Sequence, residues 1–200
     1  MIFDYPNWSS IHHKHWKPLL DKHLDLDIPI TMIEVGCFEG RSTVWFADYL
    51  NHHSHSRMFC VDTWLGGEEI ERVNLNFDMH KVRSNFFHNV ANLKQKDKII
   101  KYIMQSERGL VSFLSRYYRC IDFIYLDGSH TQRDTLVDLT LSLSLLKTGG
   151  IIIVDDYNNS MATNNPLLRP KDAVDFIVKS FDNEIEFSLT PEQQAVIIRK

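Results

Sequence analysis

Residues 30–43, Ile-Thr-Met-Ile-Glu-Val-Gly-Cys-Phe-Glu-Gly-Arg-Ser-Thr, leave the chain few choices of fold. Ile30, Met32, Ile33 and Val35 form an apolar run of the length expected for one buried strand of a parallel sheet. Gly36 and Gly40 bracket a tight turn, where a missing Cβ lets a ligand lie against the backbone. Ser42 and Thr43 then open a helix that continues through Val44, Trp45, Phe46 and Ala47. Strand, glycine turn and helix N-terminus together make a cofactor cradle. An isolated E-x-G-x-x-x-G also fits a plain βα turn, so the rest of the chain has to decide.

Similar units follow. Met58-Phe59-Cys60-Val61 is a second apolar run, and it ends at Asp62-Thr63-Trp64. Asp62 lies 26 residues after Gly36, close to the spacing of about 20 at which a strand-end acid meets the two hydroxyls of a ribose. From Leu65 to Asn92 the composition predicts a mobile loop, then a helix from about Met79 to Leu93. Residues 98–104 read as the third strand; Ser106-Glu107 then cap a helix bearing Leu110, Phe113, Leu114 and Tyr117. Residues 121–126 are the fourth strand and deliver Asp127-Gly128-Ser129-His130. A helix from about Thr131 to Leu146 is stopped by Thr148-Gly149-Gly150, and residues 150–154 form the most apolar strand, ending at Asp155-Asp156-Tyr157.

Beyond the loop Asn158–Pro170, Val174, Ile177, Val178 and Phe181 mark one more helix. Two strands, Glu184–Leu189 and Ala195–Arg199, are close enough to form an antiparallel hairpin. The expected fold is a single α/β domain over residues 1–200: a doubly wound, mostly parallel Rossmann-like sheet of about seven strands with a terminal antiparallel hairpin. Residues 1–29 form an N-terminal helical layer, interrupted at Pro18, on a core of residues 30–200.

Charge and composition exclude several classes. Twenty-six acids against 22 bases give a formal charge of -4 with no basic cluster, so nucleic acid is not an expected partner. No apolar run approaches the ~20 residues of a membrane span, and the N-terminus lacks a secretory signal pattern. The three cysteines, Cys37, Cys60 and Cys120, are scattered; free thiols in a reducing, cytoplasmic compartment are expected. Cys60 and Cys120 read as small core residues, while Cys37 lies in the turn where it can touch a ligand. His12, His13, His15 and His23, like His52, His53 and His55, lack acids or cysteines at ligand spacing and read as surface or packing residues.

In open α/β sheets, ligands sit beyond the carboxyl ends of the strands. The polar residues there are Glu34 with Gly36, Asp62, Ser106 with Glu107, Asp127 with His130, and Asp155 with Asp156. The motifs at 33–43, 60–64, 124–130 and 149–157 occur in the order found in class I S-adenosylmethionine-dependent methyltransferases, which the chain resembles over nearly its whole length. The last two motifs are most similar to the metal-dependent O-methyltransferase branch, the macrocin- and catechol-type enzymes.

That resemblance implies S-adenosylmethionine as cofactor. Glu34, Gly36, Cys37, Phe38, Gly40 and Ser42 would pack on its methionine part, Asp62 with Thr63 and Trp64 on its ribose side, and Ser106 near its adenine edge, with Asp127 bordering it. Asp127, Asp155 and Asp156 match positions that bind a divalent cation in that branch, and three carboxylates suit Mg²⁺. Such a cation would hold an acceptor hydroxyl and lower its pKa. Where catechol-type enzymes place a lysine base, this chain has His130, which can take a proton near neutrality. The expected reaction is metal-dependent O-methylation of a small-molecule or sugar hydroxyl. Tyr5, Trp8, Trp64 and Tyr157 are candidates to line the acceptor pocket.

Two other readings compete. A non-catalytic binding module would have lost the strand-end acids, which are intact here. A nicotinamide oxidoreductase would want G-x-G-x-x-G, but Phe38 stands where its second glycine belongs.

Overall fold

Period-two alternation sorts the strand side chains into two layers. The structure, a computed structural model, describes residues 1–67, 77–158 and 165–200. Strand β1 (Thr31–Val35) sends Met32 to one face and Ile33 and Val35 to the other. Strand β2 (Arg57–Asp62) divides Met58 and Cys60 from Phe59 and Val61 in the same way. Strands β4 (Ile121–Leu126) and β5 (Leu146–Val154) repeat the split, with Phe123, Tyr125, Ile151 and Ile153 opposite Ile124, Leu126, Ile152 and Val154. Both faces are apolar because both are covered by helices, as parallel sheets require.

Helices α1 (Ser10–His23), α2 (Arg41–Tyr49) and α3 (Met79–Ala91) cover the first face through Trp16, Leu20, Phe46, Val82 and Phe86. Helices α4 (Ser106–Tyr117), α5 (Gln132–Leu145) and α6 (Lys171–Ser180) cover the second through Leu110, Phe113, Leu139, Leu143, Val174 and Ile177. With β3 (Ile99–Ile103), β6 (Ile185–Leu189) and β7 (Ala195–Arg199), the sheet runs β3-β2-β1-β4-β5-β7-β6. Strand β7 is antiparallel to both its neighbours and the remaining pairs are parallel. This is the expected doubly wound sheet with its terminal hairpin. The strand order reverses between β1 and β4, which places the ligand crevice beyond Val35 and Leu126.

Cys120, expected in the core, is exposed because it precedes β4, which begins at Ile121, and three further local expectations need correction. Pro18 does not interrupt α1, which runs unbroken to His23. Pro18 and Lys14 are both exposed, so water can take the Lys14 carbonyl that a proline cannot reach. Thr148-Gly149-Gly150 does not stop the preceding helix, because α5 ends at Leu145 and β5 already begins at Leu146. Leu146 is fully buried and pairs with Ile121, and the register then shifts before Phe123 pairs with Ile151. Gly149 at φ 75° and Gly150, whose added Cβ would meet Leu146 at 2.9 Å, absorb that irregularity. Lastly, Ser106 is the first residue of α4 and not its cap; the cap residue is Gln105, which makes no side-chain cap bond. The mobile loop expected after Leu65 falls largely on residues 68–76, outside the described residues, as do residues 159–164 of the loop before α6.

The Ser106 hydroxyl bonds instead to Asp138 on α5, whose other oxygen is buried without a partner. Burial pushes the Asp138 carboxyl up to about 7, and the Ser106 bond only partly opposes it. A raised carboxyl binds its proton more tightly folded than unfolded, so the stability Asp138 contributes is fully present below about pH 4 and is lost as pH rises through about 7. Unfolding in urea at pH 5 and pH 8 should show lower stability at pH 8. Asp138→Asn should flatten that slope by about 2.7 kcal/mol, since only about two pH units lie between pH 5 and the folded value of about 7, at about 1.36 kcal/mol each; an unchanged slope would remove Asp138 as its cause.

Candidate active site

The glycine turn connects β1 to α2 through backbone that side chains resist. Gly36 and Gly40 lie at φ 79° and 83°, and Phe38 between them at 49°. A Cβ on Gly36 would stand 1.9 Å from the Asp127 carbonyl oxygen, so this glycine lets the end of β4 press against the turn. The Asp62 carboxylate braces the turn from β2. Its Oδ2 accepts the N–H groups of Cys37 at 2.7 Å and Phe38 at 3.0 Å, and its Oδ1 accepts that of Trp64 at 2.7 Å. Burial raises the Asp62 carboxyl, and these N–H groups oppose it by favouring the charged form. The Trp64 indole closes the ring of contacts by donating to the Phe38 carbonyl at 2.9 Å.

Glu34 acts below this surface. It is fully buried and accepts the Ser42 and Thr43 hydroxyls at 2.5 Å each, tying the end of β1 to the first turn of α2. Burial pushes its carboxyl up to about 7 against those bonds. Cys37, Ser42 and Trp64 are buried as well, so what they offer a ligand is backbone. The side chains of Phe38 and Thr63 keep partial exposure. Trp64 and Tyr157, expected among the pocket aromatics, are packing residues here, at 2% and 6% exposure.

The N-terminal segment reaches over the turn. Glu39 accepts the backbone N–H groups of Asp4 at 2.9 Å and Tyr5 at 3.2 Å, and Asn89 holds both the N–H and the carbonyl of Ile2. Tyr5 and Trp8 consequently stand 5.7 and 5.8 Å from the Phe38 ring, with Phe77 beside all three. The expected aromatic lining is therefore half present, at the edge where the turn faces the N-terminal layer.

Across the crevice, β4 and β5 bring their acids to one connected cluster. Tyr125, two residues before Asp127 on the buried face, donates its hydroxyl to Asp155 Oδ2 at 2.6 Å and lies 3.3 Å from Asp127 Oδ2. Asp155 Oδ1 accepts the Gln194 side-chain amide at 3.0 Å and the Asp156 N–H at 2.9 Å, and His12 Nε2 lies 3.7 Å away. Trp16 on α1 donates to Gln194 at 2.7 Å and holds that amide in place. The His130 ring lies between two acids, with Nε2 at 3.3 Å from Asp127 Oδ1 and Nδ1 at 3.5 Å from Asp156 Oδ2. Burial and the neighbouring Asp155 carboxylate push Asp127 well above the usual carboxylate range, while His130 pulls it back.

These acids are hard oxygen donors, the right chemistry for Mg²⁺. Their carboxylate oxygens do not all lie within 4.8 Å of one another. Among the described residues, the one trio of Asp, Glu, His or Cys ligand atoms within 4.8 Å of one another is Glu34, Cys37 and Cys60. Tyr125, Gln194 and the backbone occupy Asp155, and His130 fills the space between Asp127 and Asp156.

His12, Tyr125 and Gln194 escaped the sequence reading. Tyr125 carried a usable signal, since i and i+2 share a strand face. His12 and Gln194 reach Asp155 from the first helix and from the turn before the last strand, which no local pattern announces.

Comparison with known proteins agrees with this architecture. A structure of an O-methyltransferase from Bacillus cereus in complex with SAH matches at a TM-score of 0.67 and 16% identity, covering 97% of this chain and 83% of that one. TomG, an O-methyltransferase from Streptomyces achromogenes involved in tomaymycin synthesis and solved with SAM, matches at 0.65 and 12%, covering 97% and 82%. A Clostridium thermocellum protein named as an rRNA methylase matches at 0.62 and 16%, covering 98% of both chains. At these identities the likeness speaks for the fold. A search of curated proteins found no match. A family model described as a Methyltransferase domain, however, matches residues 33–157, from inside β1 through the glycine turn and Asp62 to the acids after β5. The chain belongs to that family and is an S-adenosylmethionine-dependent methyltransferase.

Proposed function

We propose that the protein methylates a hydroxyl of a small molecule, with His130 as the base. One observation carries this reading: the His130–Asp127 pair backs directly onto the glycine turn, because Asp127 presses its carbonyl against Gly36. A proton acceptor and the cofactor cradle thus share one wall of the crevice.

S-adenosylmethionine, when bound, supplies an electrophilic methyl group on a sulfonium. The turn from Gly36 to Gly40, braced by Asp62, would hold its methionine part, and Asp62 its ribose. On the acceptor side, the long contact between His130 Nδ1 and Asp156 is the one an incoming hydroxyl would displace. His130 takes the hydroxyl proton at Nδ1 as the oxygen becomes nucleophilic, while Nε2–H stays on Asp127. The Asp127 carboxylate orients the ring and stabilises the imidazolium, as the acid does in a Ser-His-Asp triad. Tyr125 and Gln194 fix Asp155 behind the site and keep it from swinging into the crevice.

A second reading assigns Asp127, Asp155 and Asp156 to Mg²⁺. It draws on the raised Asp127, whose carboxyl burial and then the neighbouring Asp155 push up and a cation would relieve. RNA as acceptor finds no such support in a chain of 22 bases and 26 acids. Incubating the protein with isotopically labelled S-adenosylmethionine and a panel of phenols, catechols and sugars should yield labelled methyl ethers. Transfer only to nitrogen, sulfur or RNA would overturn the hydroxyl assignment. With a found acceptor, turnover that survives chelation supports His130 acting alone; loss restored by Mg²⁺ supports the cation.

A further inference from the structure

Beneath the glycine turn lie three buried side chains capable of binding a metal. Strand pairing sets Glu34 of β1 beside Cys60 of β2, and the turn folds Cys37 back over both. All three are buried, and one ligand atom from each lies within 4.8 Å of the other two. Cys60 Sγ stands 3.7 Å from Glu34 Oε2. A tetrahedral Zn²⁺ with bonds of about 2.3 Å to sulfur and 2.0 Å to oxygen has S···O edges of about 3.5 Å and S···S edges of about 3.8 Å. The existing spacing, at most 4.8 Å on any edge, therefore needs to contract by no more than about 1.3 Å.

The surroundings suit such an ion. The Ser42 and Thr43 hydroxyls grip the Glu34 carboxylate and fix its orientation, the task of outer-shell partners at metal sites. Charge also balances. Burial raises both thiols, so each carries its proton. One divalent cation entering as two thiol protons leave adds no net charge to an apolar interior, where an uncompensated charge is expensive. Thiolate ligands select soft ions such as Zn²⁺ or Cd²⁺ and reject Mg²⁺ and Ca²⁺.

We propose that Glu34, Cys37 and Cys60 form a binding site for a thiophilic divalent cation of the Zn²⁺ class under the cofactor turn. The site is separate from the strand-end acids and differs from them in metal preference. Because Cys37 is part of the turn, ligation draws directly on the backbone that Asp62 braces.

The test uses the reduced full chain carrying Cys120→Ser, which removes the exposed third thiol. Titration with Cd²⁺ should produce a thiolate-to-metal charge-transfer band that saturates at one equivalent, is displaced by Zn²⁺ and ignores excess Mg²⁺. Adding Cys37→Ser or Cys60→Ser should weaken Cd²⁺ binding by about tenfold or more. X-ray absorption at the zinc edge of the same Cys120→Ser protein needs neither variant to fold; it should show sulfur neighbours at about 2.3 Å. A missing charge-transfer band, or a zinc shell without sulfur, overturns the site.

Discussion

Gly36→Ala is expected to destabilise the protein by about 4 kcal/mol or more, the range reserved for backbone clashes and broken cores. Two effects combine. The residue sits at φ 79°, where a side chain is strained, and its Cβ would come within 1.9 Å of the Asp127 carbonyl oxygen. That obstacle is main chain in the middle of the sheet, so no rotamer change relieves it; Asp127 N already bonds to the Val35 carbonyl at 2.8 Å. Gly67 is the control, since an added Cβ there meets nothing within 4 Å. Chemical unfolding of both variants decides the matter, and a Gly36→Ala protein as stable as Gly67→Ala would contradict the close approach. A milder variant that still folds should lose cofactor and acceptor binding together, because the same contact supports both walls of the crevice.

The largest effect on chemistry is expected at His130. His130→Gln keeps a polar side chain of similar reach but cannot carry the transferred proton. Turnover should fall by about 10²- to 10⁴-fold, the usual contribution of a positioned base. Binding of S-adenosylhomocysteine should be unchanged, because the His130 ring engages Asp127 and Asp156 on the acceptor side of the crevice. Asp127→Asn should give a comparable loss, since its amide can donate to Nε2 and so place the ring proton on Nδ1, the atom that has to accept the transferred one. If His130→Gln turns over like the unmutated protein between pH 6 and pH 8, the base lies elsewhere.

The fold was readable because its signals are local. Apolar runs ending in Gly36, Asp62, Asp127 and Asp155 announce strand ends, and a glycine turn announces a βα connection. The errors arose where tertiary packing overrode a local rule. Pro18 belongs to an exposed helix face, which tolerates a missing N–H. Gly149-Gly150 looked like a helix stop, yet Leu146 is so well buried against Ile121 that the strand begins ahead of the glycines.

The site was legible at the level of which residues gather, and less so in what each does. Strand-end acids gather by topology, so Asp62, Asp127, Asp155 and Asp156 were found from position alone. Their partners come from far away in sequence. Gln194 comes from the last hairpin to donate to Asp155, Trp16 of α1 holds that amide, and His12 of α1 stands 3.7 Å from the same carboxylate. Cys37 illustrates the same limit. Its place in the turn suggested contact with a ligand, but its side chain points into the protein towards the Glu34 carbonyl, 4.0 Å away.

The central claim is that the Gly36–Gly40 turn and Asp62 form the cofactor cradle. Isothermal titration of S-adenosylhomocysteine into the purified protein and its Asp62→Ala variant tests it most directly. The account predicts one-to-one binding by the unmutated chain and at least about a hundredfold weaker binding by the variant, the cost of losing a buried, charge-assisted brace of roughly 3 kcal/mol. Absence of heat from the unmutated chain, or equal affinity in both proteins, would contradict it.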